Sequence, residues 1–354
     1  MRPLTGTRQT DEGRDKDKDT IRIKPVAVFG EWQHTCVYEC IPIWPPASQG
    51  TDFQCNERRT DMRIPDIMKR RMSFSFEVFP PKEDKPLEPL LAALEELYKF
   101  NPDFISCTYG AGGTNVGRNL EVLRSIKNRG ETIPVTHFTC VGNSREDIRR
   151  QLDEYLSIGV DHLLALRGDL PANNMGTGGD FSYANELIAF IRAHYGDRFA
   201  IAIGAYPEKH VEAKNLAEDI AHLRIKQDAG ADFIMTQLCF DTEGFKRWMD
   251  RIRRAGVRIP VNAGVMPVTN KDSVIRMALS RNGCSIPRHL AEIISRYWDD
   301  PVGFREAGIE YTVRQIGELI CEGIDGLHIY ALNRHETIEE IVRKSGIQAN
   351  PKGL

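Results

Sequence analysis

Residues 164–171 read Leu-Ala-Leu-Arg-Gly-Asp-Leu-Pro, an apolar run that stops abruptly at Arg167-Gly168-Asp169 and a proline. A short apolar run bounded by glycine and proline is typical of a buried strand that ends in a loop. In parallel α/β folds, polar groups just beyond the carboxyl end of a strand lie where these folds place their sites. A surface ion pair at a turn has the same sequence, so the interpretation depends on how other strands end.

The same rhythm extends along most of the chain. From Met72 onward, short apolar or β-rich runs alternate with longer runs in which apolar residues recur every three or four positions. This alternation is typical of βα units and predicts a parallel sheet. The predicted strands are 73–78, 104–107, 134–138, 162–166, 199–203, 233–235, 260–263 and 326–330.

Eight strands with crossover helices over about 280 residues favour an α/β fold of the (β/α)8 TIM-barrel type over an open doubly wound sheet. One helical pattern, at 212–228, follows the fifth predicted strand. Helical patterns at 287–297 and 304–321 predict extra helices between the seventh and eighth strands. No Gly-x-Gly-x-x-Gly follows the first strand, which argues against a doubly wound dinucleotide-binding fold. A nucleotide cofactor would therefore bind in the mouth of the barrel.

Residues 1–71 differ in composition from the rest of the chain. A run of alternating charges is followed by an aperiodic mixture that contains Trp44-Pro45-Pro46 and scattered cysteines. This composition predicts a disordered extension, or a segment that precedes the true start of translation at Met68 or Met72. Residues 72–354 would then form one barrel domain.

Composition excludes several classes of protein. The net charge is −3 and the pI is near 6.3, so nothing in the overall charge attracts nucleic acid or an anionic membrane. No apolar run approaches the ~18 residues that span a bilayer, and residues 1–20 lack the apolar core of a signal peptide. We therefore expect a cytoplasmic protein whose partners are small molecules, with no nucleic-acid and no membrane partner.

The cysteines predict neither a disulfide framework nor a metal centre. Four of the eight lie within apolar segments, where a reduced thiol behaves as a small hydrophobic group: Cys107, Cys140, Cys239 and Cys321. His34, Cys36, Cys40 and Cys55 could supply four zinc ligands, but their spacing is poor for a zinc site. No metal is predicted.

Nearly every predicted strand is followed by polar or glycine-rich groups. These are Glu77; 108–113; His137 and Thr139; 167–169; Tyr206, Glu208 and His210; 236–237; 266–267; and 332–334. Because the loops after barrel strands carry the active site of this fold, the convergence of these ends indicates one site at the carboxyl face. Arg167 and Asp169 are therefore assigned to that site.

Seven of these segments, in order across roughly residues 73–347, resemble the methylenetetrahydrofolate reductase family in its short bacterial form. The segments are 74–81, 108–112, 137–140, 165–169, 205–208, 236–237 and 332–334. The resemblance implies a flavin-dependent barrel in which NADH or NADPH reduces bound FAD. The reduced flavin then converts 5,10-methylenetetrahydrofolate to 5-methyltetrahydrofolate, a ping-pong reaction that supplies methyl groups for methionine synthesis.

Two carboxylates match catalytic residues of that family. Glu77 matches the proton donor, which protonates N10 of the folate so that the five-membered ring opens to a 5-iminium cation. A carboxyl between Phe76 and Phe79 would have its pKa raised by desolvation. Asp169 matches an aspartate beside flavin and pterin, where it would hydrogen-bond the pterin and disfavour extra negative charge on the flavin.

The resemblance also implies a set of binding residues. Those that match flavin contacts are Thr108, Tyr109, Ala111, His137, Arg167, Gly168, Asp169, Tyr206, His210, Ala213, Asp219 and Lys226. Lys226 would place a point charge at the pyrophosphate, although Asp219 and Lys226 also fit a solvated helix face. Gln237 and Arg334 match residues that contact the substrate.

The chain departs from the family pattern after the sixth and seventh strands. Residues 238–241 read Leu-Cys-Phe-Asp where an aromatic pair is more usual, and Ser273 and Met277 stand where the best-known bacterial form has Gln and Phe. These differences affect the expected contacts with NADH and folate.

Two alternative functions stay open at this stage. One is a folate reductase barrel that receives electrons from a partner protein, and the other is a non-catalytic pterin-binding barrel. The presence of Glu77, Asp169 and Gln237 together argues against the second. The resemblance further implies a homo-oligomer, for which the extra helices offer a surface. Because the chain ends soon after the last predicted helix, we expect no carboxy-terminal regulatory domain and no inhibition by S-adenosylmethionine.

Overall fold

The predicted strands close into a parallel barrel in the computed structural model of the chain, which describes residues 62–109, 116–170, 178–280 and 284–347. Each strand pairs in parallel with the next, and the eighth pairs with the first. The strands are β1 (Ser73–Val78), β2 (Phe104–Cys107), β3 (Ile133–Thr139), β4 (His162–Leu166), β5 (Ala200–Ala205), β6 (Phe233–Thr236), β7 (Val261–Val265) and β8 (Gly326–Tyr330). The TIM-barrel prediction is confirmed.

Helices alternate with the strands and cover the outside of the barrel. They are α1 (Ile64–Arg70), α2 (Glu88–Tyr98), α3 (Val116–Arg129), α4 (Arg145–Ser157), α5 (Ala184–Tyr195), α6 (Leu216–Asp228), α7 (Thr242–Arg254), α8 (Lys271–Leu279), α9 (Arg288–Arg296), α10 (Pro301–Cys321) and α11 (His335–Ser345). The extra helices predicted between β7 and β8 are present as α9 and α10. Within the described part of the chain, no helix is both long and apolar enough to cross a membrane.

Local sequence explains several helix ends. Ser144 begins α4 with a capping box, in which its hydroxyl accepts a hydrogen bond from the Asp147 backbone and the Asp147 carboxylate accepts one in return. α10 passes so close to the loop after β7 that a side chain at Gly308 would collide with the carbonyl oxygen of Val268. Glycine is therefore required at that contact.

The lower half of the barrel interior is apolar. Phe104 and Phe233 meet edge to face, with 6.4 Å between their ring centres. The apolar layer consists of Phe104, Ile133, Val135, Leu164, Ala202, Phe233 and Met235 together with residues from α1. It forms a floor beneath the polar carboxyl end of the barrel.

Helix α1 closes the amino-terminal end of the barrel. Ile64, Ile67 and Met68 are buried against the apolar layer, and the Ile64 backbone N–H donates to Nε2 of His162 on β4 at 3.3 Å. Pro65 in the first turn favours the start of the helix. After the helix, Arg71 donates two hydrogen bonds to the carboxylate of Asp103 at 2.8 and 2.5 Å.

The boundary predicted at residue 72 is therefore corrected. Residues 62–71 belong to the barrel domain, because they bury apolar side chains in its floor and pair with a buried carboxylate. The remainder of the predicted extension, with its four possible zinc ligands, lies outside the described residues. Among the residues described, no cluster of His, Cys, Asp and Glu could hold a metal ion.

Candidate active site

Glu77 lies at the carboxyl end of β1 and points into the barrel mouth. The strand register places it level with Ser106 on β2 and Tyr330 on β8. Its Oε2 atom lies 3.3 Å from Nε2 of His137 on β3 and 3.6 Å from Nε2 of His328 on β8. Alternate strands of a TIM barrel fill the same interior layer, which is why β1 and β3 bring their side chains together.

The surroundings of Glu77 differ from those expected. Phe76 points to the outside of the sheet, where it packs against Phe74 and Phe100, while Phe79 is 38% exposed in the loop. Burial would raise the pKa of the Glu77 carboxyl, yet His137 and His328 lower it to about 2. The expectation of a raised pKa is therefore wrong.

Burial acts in the opposite sense on the histidine. It lowers the pKa of the His328 imidazole, although Glu77 beside it works to raise that pKa. An imidazolium beside the Glu77 carboxylate would stabilise its charge, whereas burial makes a charged imidazole unfavourable. His137 has a side chain that is 13% exposed, whereas that of His328 is 1% exposed.

A chain of polar side chains lies beneath Glu77. Oγ of Ser75 is 2.8 Å from Nδ1 of His328, and Oγ of Ser106 is 3.3 Å from its Nε2. The Asn262 amide on β7 donates to Ser75 at 3.3 Å. A continuous polar network therefore links β7, β8, β1 and β2 inside the barrel.

The loop after β8 is fastened to the loop after β1. Leu332 and Asn333 both have positive φ angles, of 50° and 56°. Asn333 accepts a hydrogen bond from the Phe79 backbone at 3.1 Å and donates one to the Phe79 carbonyl at 2.8 Å. Asparagine tolerates the left-handed region better than most residues, and here its amide also satisfies the neighbouring backbone. Arg334 follows immediately and is exposed at the rim.

Arg167, Gly168 and Asp169 follow β4, as predicted. Arg167 donates two hydrogen bonds to the Glu212 carboxylate, at 2.7 and 2.9 Å, and Asp169 is exposed to the mouth. The loop that holds Glu212 was predicted to belong to a helix from 212, but α6 begins at Leu216, after the cap by Asn215. The irregular segment lets Glu212 reach Arg167.

Gly168 has a backbone conformation that few other residues adopt. Its φ angle is +90°, and an added side chain would collide with Cγ1 of Val141. Beside it, Oγ1 of Thr139 is buried without a hydrogen-bond partner among the described residues. Glycine is therefore required at this turn, and the Thr139 hydroxyl offers a hydrogen bond to a ligand at the ends of β3 and β4.

Residues after β5 form the second group of the predicted cofactor contacts. The rings of Tyr206 and His210 pack edge to face with centres 4.6 Å apart. The Asp219 carboxylate on α6 accepts a hydrogen bond from the His210 backbone at 3.1 Å, and the Lys226 ammonium donates to the Gly204 carbonyl at 3.2 Å. Ala213 is buried nearby. Asp219 is also buried, so it does not belong to a solvated helix face.

Charge and burial alter the acidity of this group. Burial raises the pKa of Tyr206 to about 12, and Asp219 and Asp169 act in the same direction. Burial lowers the pKa of the Lys226 ammonium, which Asp219 partly opposes and Arg167 reinforces. Tyr206 therefore lies close enough to sense carboxylates both from the β4 loop and from α6.

The residues after β2 were expected to contact the cofactor, and they differ from that expectation. Tyr109 is buried on the outside of the barrel, where its hydroxyl donates to Gln151 at 2.7 Å, so only its backbone is directed to the mouth. Thr108 continues the strand and is half-buried. Ala111 lies outside the described residues.

Gln237 follows β6 and lies near Tyr330 of β8. Its Oε1 atom accepts a hydrogen bond from the Leu238 backbone at 2.9 Å and lies 3.5 Å from the hydroxyl of Tyr330. Tyr330 donates to the Thr236 carbonyl at 3.0 Å. Among the departures from the family pattern, Cys239 is buried and its thiol donates to Glu208 at 3.5 Å.

Sequence reasoning missed three residues of this site: Ser75, Glu212 and His328. A histidine and a serine within apolar strands usually satisfy hydrogen bonds in the core, so the sequence carried no signal for their position under Glu77. The alternation of Phe74-Ser75-Phe76-Glu77 does indicate that Ser75 and Glu77 share one face of β1.

Comparisons with known proteins agree on one family. The family model described as methylenetetrahydrofolate reductase matches residues 63–346. Methylenetetrahydrofolate reductase 1 of Schizosaccharomyces pombe is 36% identical over 282 residues, which cover 79% of this chain and 47% of the relative. The 5,10-methylenetetrahydrofolate reductase of Pectobacterium carotovorum is 32% identical over 296 residues, covering 84% of this chain and 97% of that protein.

The chain therefore spans about half the length of the Schizosaccharomyces pombe relative and nearly all of the Pectobacterium relative. Among solved structures, an uncharacterised Clostridium thermocellum protein that binds two copies of 5-methyl-5,6,7,8-tetrahydrofolic acid superposes with a TM-score of 0.58. The match covers 79% of this chain and 96% of that one at 15% identity, a likeness of fold alone.

Proposed function

The chain belongs to the methylenetetrahydrofolate reductase family, and we propose that it reduces 5,10-methylenetetrahydrofolate to 5-methyltetrahydrofolate with bound FAD and NADH or NADPH. The observation that carries this proposal is the position of Glu77, a buried carboxyl at the mouth with two imidazoles beside it. Ring opening of the folate needs a proton at N10, and this cluster can deliver one.

The mouth suits a flavin nucleotide. The buried Oγ1 of Thr139 has no hydrogen-bond partner among the residues described, and the turn at Gly168 packs directly beside this residue. Arg167, His210 and Lys226 place basic groups around the other side of the opening, as the two phosphates of FAD would require. Bound FAD would supply the two-electron chemistry between the nicotinamide and the folate.

The chain's own residues would provide binding and proton transfer. Glu77 would hold the proton for N10, and the entry of planar ligands would displace water from the mouth. With water displaced, separated charges become more costly, so the proton would move from an imidazolium to the carboxylate before it reaches the folate. The 5-iminium cation would then form beside groups that tolerate positive charge.

Asp169 is suited to a second role. Its carboxylate is exposed in the mouth and is close enough to influence Tyr206. There it would hydrogen-bond the aminopyrimidine part of the pterin and favour the developing cation. Gln237, whose amide can both donate and accept, and Arg334 at the rim would complete the contacts with the substrate.

The test is folate-dependent oxidation of NADH and of NADPH by the purified chain after loading with FAD. We expect oxidation of at least one nicotinamide to require 5,10-methylenetetrahydrofolate and to yield an equal amount of 5-methyltetrahydrofolate. Folate reduction with an artificial electron donor but with neither nicotinamide would instead identify a barrel fed by a partner protein. Folate binding without reduction by any donor would identify a pterin-binding protein and would refute the proposal.

A further inference from the structure

His328 is held rigidly inside the barrel. Its side chain is almost completely buried, and its ring stacks on Phe104 with 5.6 Å between centres and an angle of 16°. Ser75 lies 2.8 Å from Nδ1 and Ser106 lies 3.3 Å from Nε2. With a partner on each nitrogen and an aromatic ring against one face, the imidazole has one orientation.

Ser75 has one hydroxyl hydrogen for two acceptors, the Leu327 carbonyl at 3.2 Å and Nδ1 of His328 at 2.8 Å, and it accepts from the Asn262 amide at 3.3 Å. When the hydrogen goes to Leu327, Ser75 accepts from Nδ1, and the neutral ring presents a lone pair at Nε2, toward Glu77 and Ser106. A proton shared with Glu77 requires this tautomer, because the neutral ring must then accept at Nε2.

We propose that His328 is a positioning residue for Glu77, which shares one proton with it between Nε2 and Oε2 and thereby keeps that carboxyl oriented and supplied with a proton. This inference rests on the proposed function, in which Glu77 protonates the folate. The distance of 3.6 Å between the two atoms needs only a small movement of the carboxylate to form a hydrogen bond. His328 lies beside this carboxyl and has no other assigned role.

Few of the groups around Glu77 can exchange a proton with it near pH 7. Tyr330 on β8 faces it, and burial raises the pKa of the Tyr330 hydroxyl, so it stays neutral near pH 7. Ser106 does not titrate. The only titratable partners left among the residues described are His137 on β3 and His328 on β8.

The proton transfers balance without another reactant. When Glu77 gives its proton to N10, the C–N bond of the folate ring opens, and the carboxylate is left with a negative charge. A proton from solvent then reaches Oε2 through His137, whose side chain is partly exposed, and a new O–H bond forms on Glu77. That O–H group donates to the lone pair at Nε2 of the neutral His328, which holds the carboxyl in place.

The first test measures the charge of Glu77 directly by isotope-edited infrared spectroscopy of the full chain. The band of its protonated carboxyl is identified by its loss in Glu77→Gln. We expect this band to appear at a higher pH in His328→Asn than in the wild type, because the variant loses the contribution of His328 to the low pKa of Glu77 and keeps that of His137. His162→Asn, which removes a buried histidine from the opposite end of the barrel, should match the wild type. An unchanged spectrum in His328→Asn would overturn the proposal.

The second test follows the folate half-reaction as a function of pH. At pH 7.5, His328→Asn should slow folate reduction by about 10- to 100-fold, less than the ~10²–10⁴-fold that a general acid contributes. Lower pH should restore part of that rate, while oxidation of NAD(P)H changes less than twofold. An equal loss of both half-reactions at every pH would show a purely structural role.

A third measurement needs no variant. Nitrogen-15 NMR of histidine-labelled wild-type protein should show hydrogen on Nδ1 of His328 when the ring is neutral, and hydrogen on Nε2 alone would refute the proposal. If the wild type reduces no folate, the proposed function fails, while the infrared and NMR measurements still decide whether His328 controls Glu77.

Discussion

Oε2 of Glu77 lies 3.3 Å from Nε2 of His137, on alternate strands of the same barrel. The neighbouring imidazoles hold the pKa of this carboxyl, which the proposed reaction needs as an acid, at about 2. In that reaction an imidazolium would pass a proton to the carboxylate when the mouth is covered. Such a transfer would let a residue with a low pKa act as an acid at neutral pH.

The first prediction concerns stability in acid. Because the folded state lowers the pKa of Glu77 from 4.5 to about 2, its charge contributes stability above pH 4.5. That contribution should disappear as the pH falls from 4.5 toward 2. We expect the difference in unfolding free energy between wild type and Glu77→Gln, measured with urea, to be constant from pH 5 to 6 and to change steadily in favour of the variant below pH 4.5. A difference that does not vary between pH 5 and 3 would contradict the lowered pKa.

Asp169→Asn should alter the flavin. Removing a negative charge from the mouth makes further negative charge there less unfavourable, so the reduction potential of bound FAD should rise and folate reduction should slow. The potential can be measured by reductive titration against a reference dye. Asp197→Asn is the matched control, because that side chain is 91% exposed on the loop before β5. Equal potentials in the wild type and Asp169→Asn would place this carboxylate away from the flavin.

Lys226→Met should weaken the binding of FAD. A charge-assisted hydrogen bond contributes about 1.5–3 kcal/mol, so we expect the Kd to rise about 10- to 100-fold. Lys214→Met, at a side chain that is 86% exposed, should leave the Kd unchanged. Since burial lowers the pKa of Lys226, the affinity of the wild type should also decline at a lower pH than an ordinary lysine would predict. Fluorescence titration with FAD measures both effects, and no loss of affinity in Lys226→Met would exclude a phosphate contact.

Helix α1 should be necessary for a stable barrel. A chain that begins at Met62 keeps the helix, whereas one that begins at Met72 loses the buried side chains of Ile64, Ile67 and Met68. Removing one large buried aliphatic side chain costs about 2–5 kcal/mol, so the shorter chain should unfold at much lower urea concentration or fail to fold. We expect the chain from Met62 to keep the reductase activity of the full chain. Equal unfolding midpoints for the two shortened chains would mean that α1 does not support the barrel.

Much of the barrel could be predicted from the alternation of apolar runs and turns. The bounds of β1, β2, β4 and β8 agree with their prediction, because each is a short apolar or alternating run limited by polar, glycine or proline residues. β3 and β6 extend into Thr139 and Thr236, whose backbones still pair with the neighbouring strand. The polar side chains of these two threonines made the strands look as if they ended one residue earlier.

Helix α1 could not be predicted, because seven residues give too short a pattern and its burial depends on the barrel floor. The helix predicted from 212 failed for a local reason, since Asn215 caps α6 and leaves Glu212 in an irregular segment. The direction in which the pKa of Glu77 shifts depends on neighbours from β3 and β8. No spacing in the sequence could show that His137 and His328 would both reach it.

The central claim is that Glu77 protonates the folate, and separate half-reactions of the FAD-loaded Glu77→Gln variant test it most directly. One measurement follows oxidation of NAD(P)H without folate, and the other follows folate reduction by enzyme reduced chemically beforehand. Glu83→Gln, at an exposed acid in the loop after β1, is the control. We predict that Glu77→Gln keeps nicotinamide oxidation within a few-fold and slows folate reduction by ~10²–10⁴-fold. Equal slowing of both half-reactions, or normal folate reduction, would contradict the account.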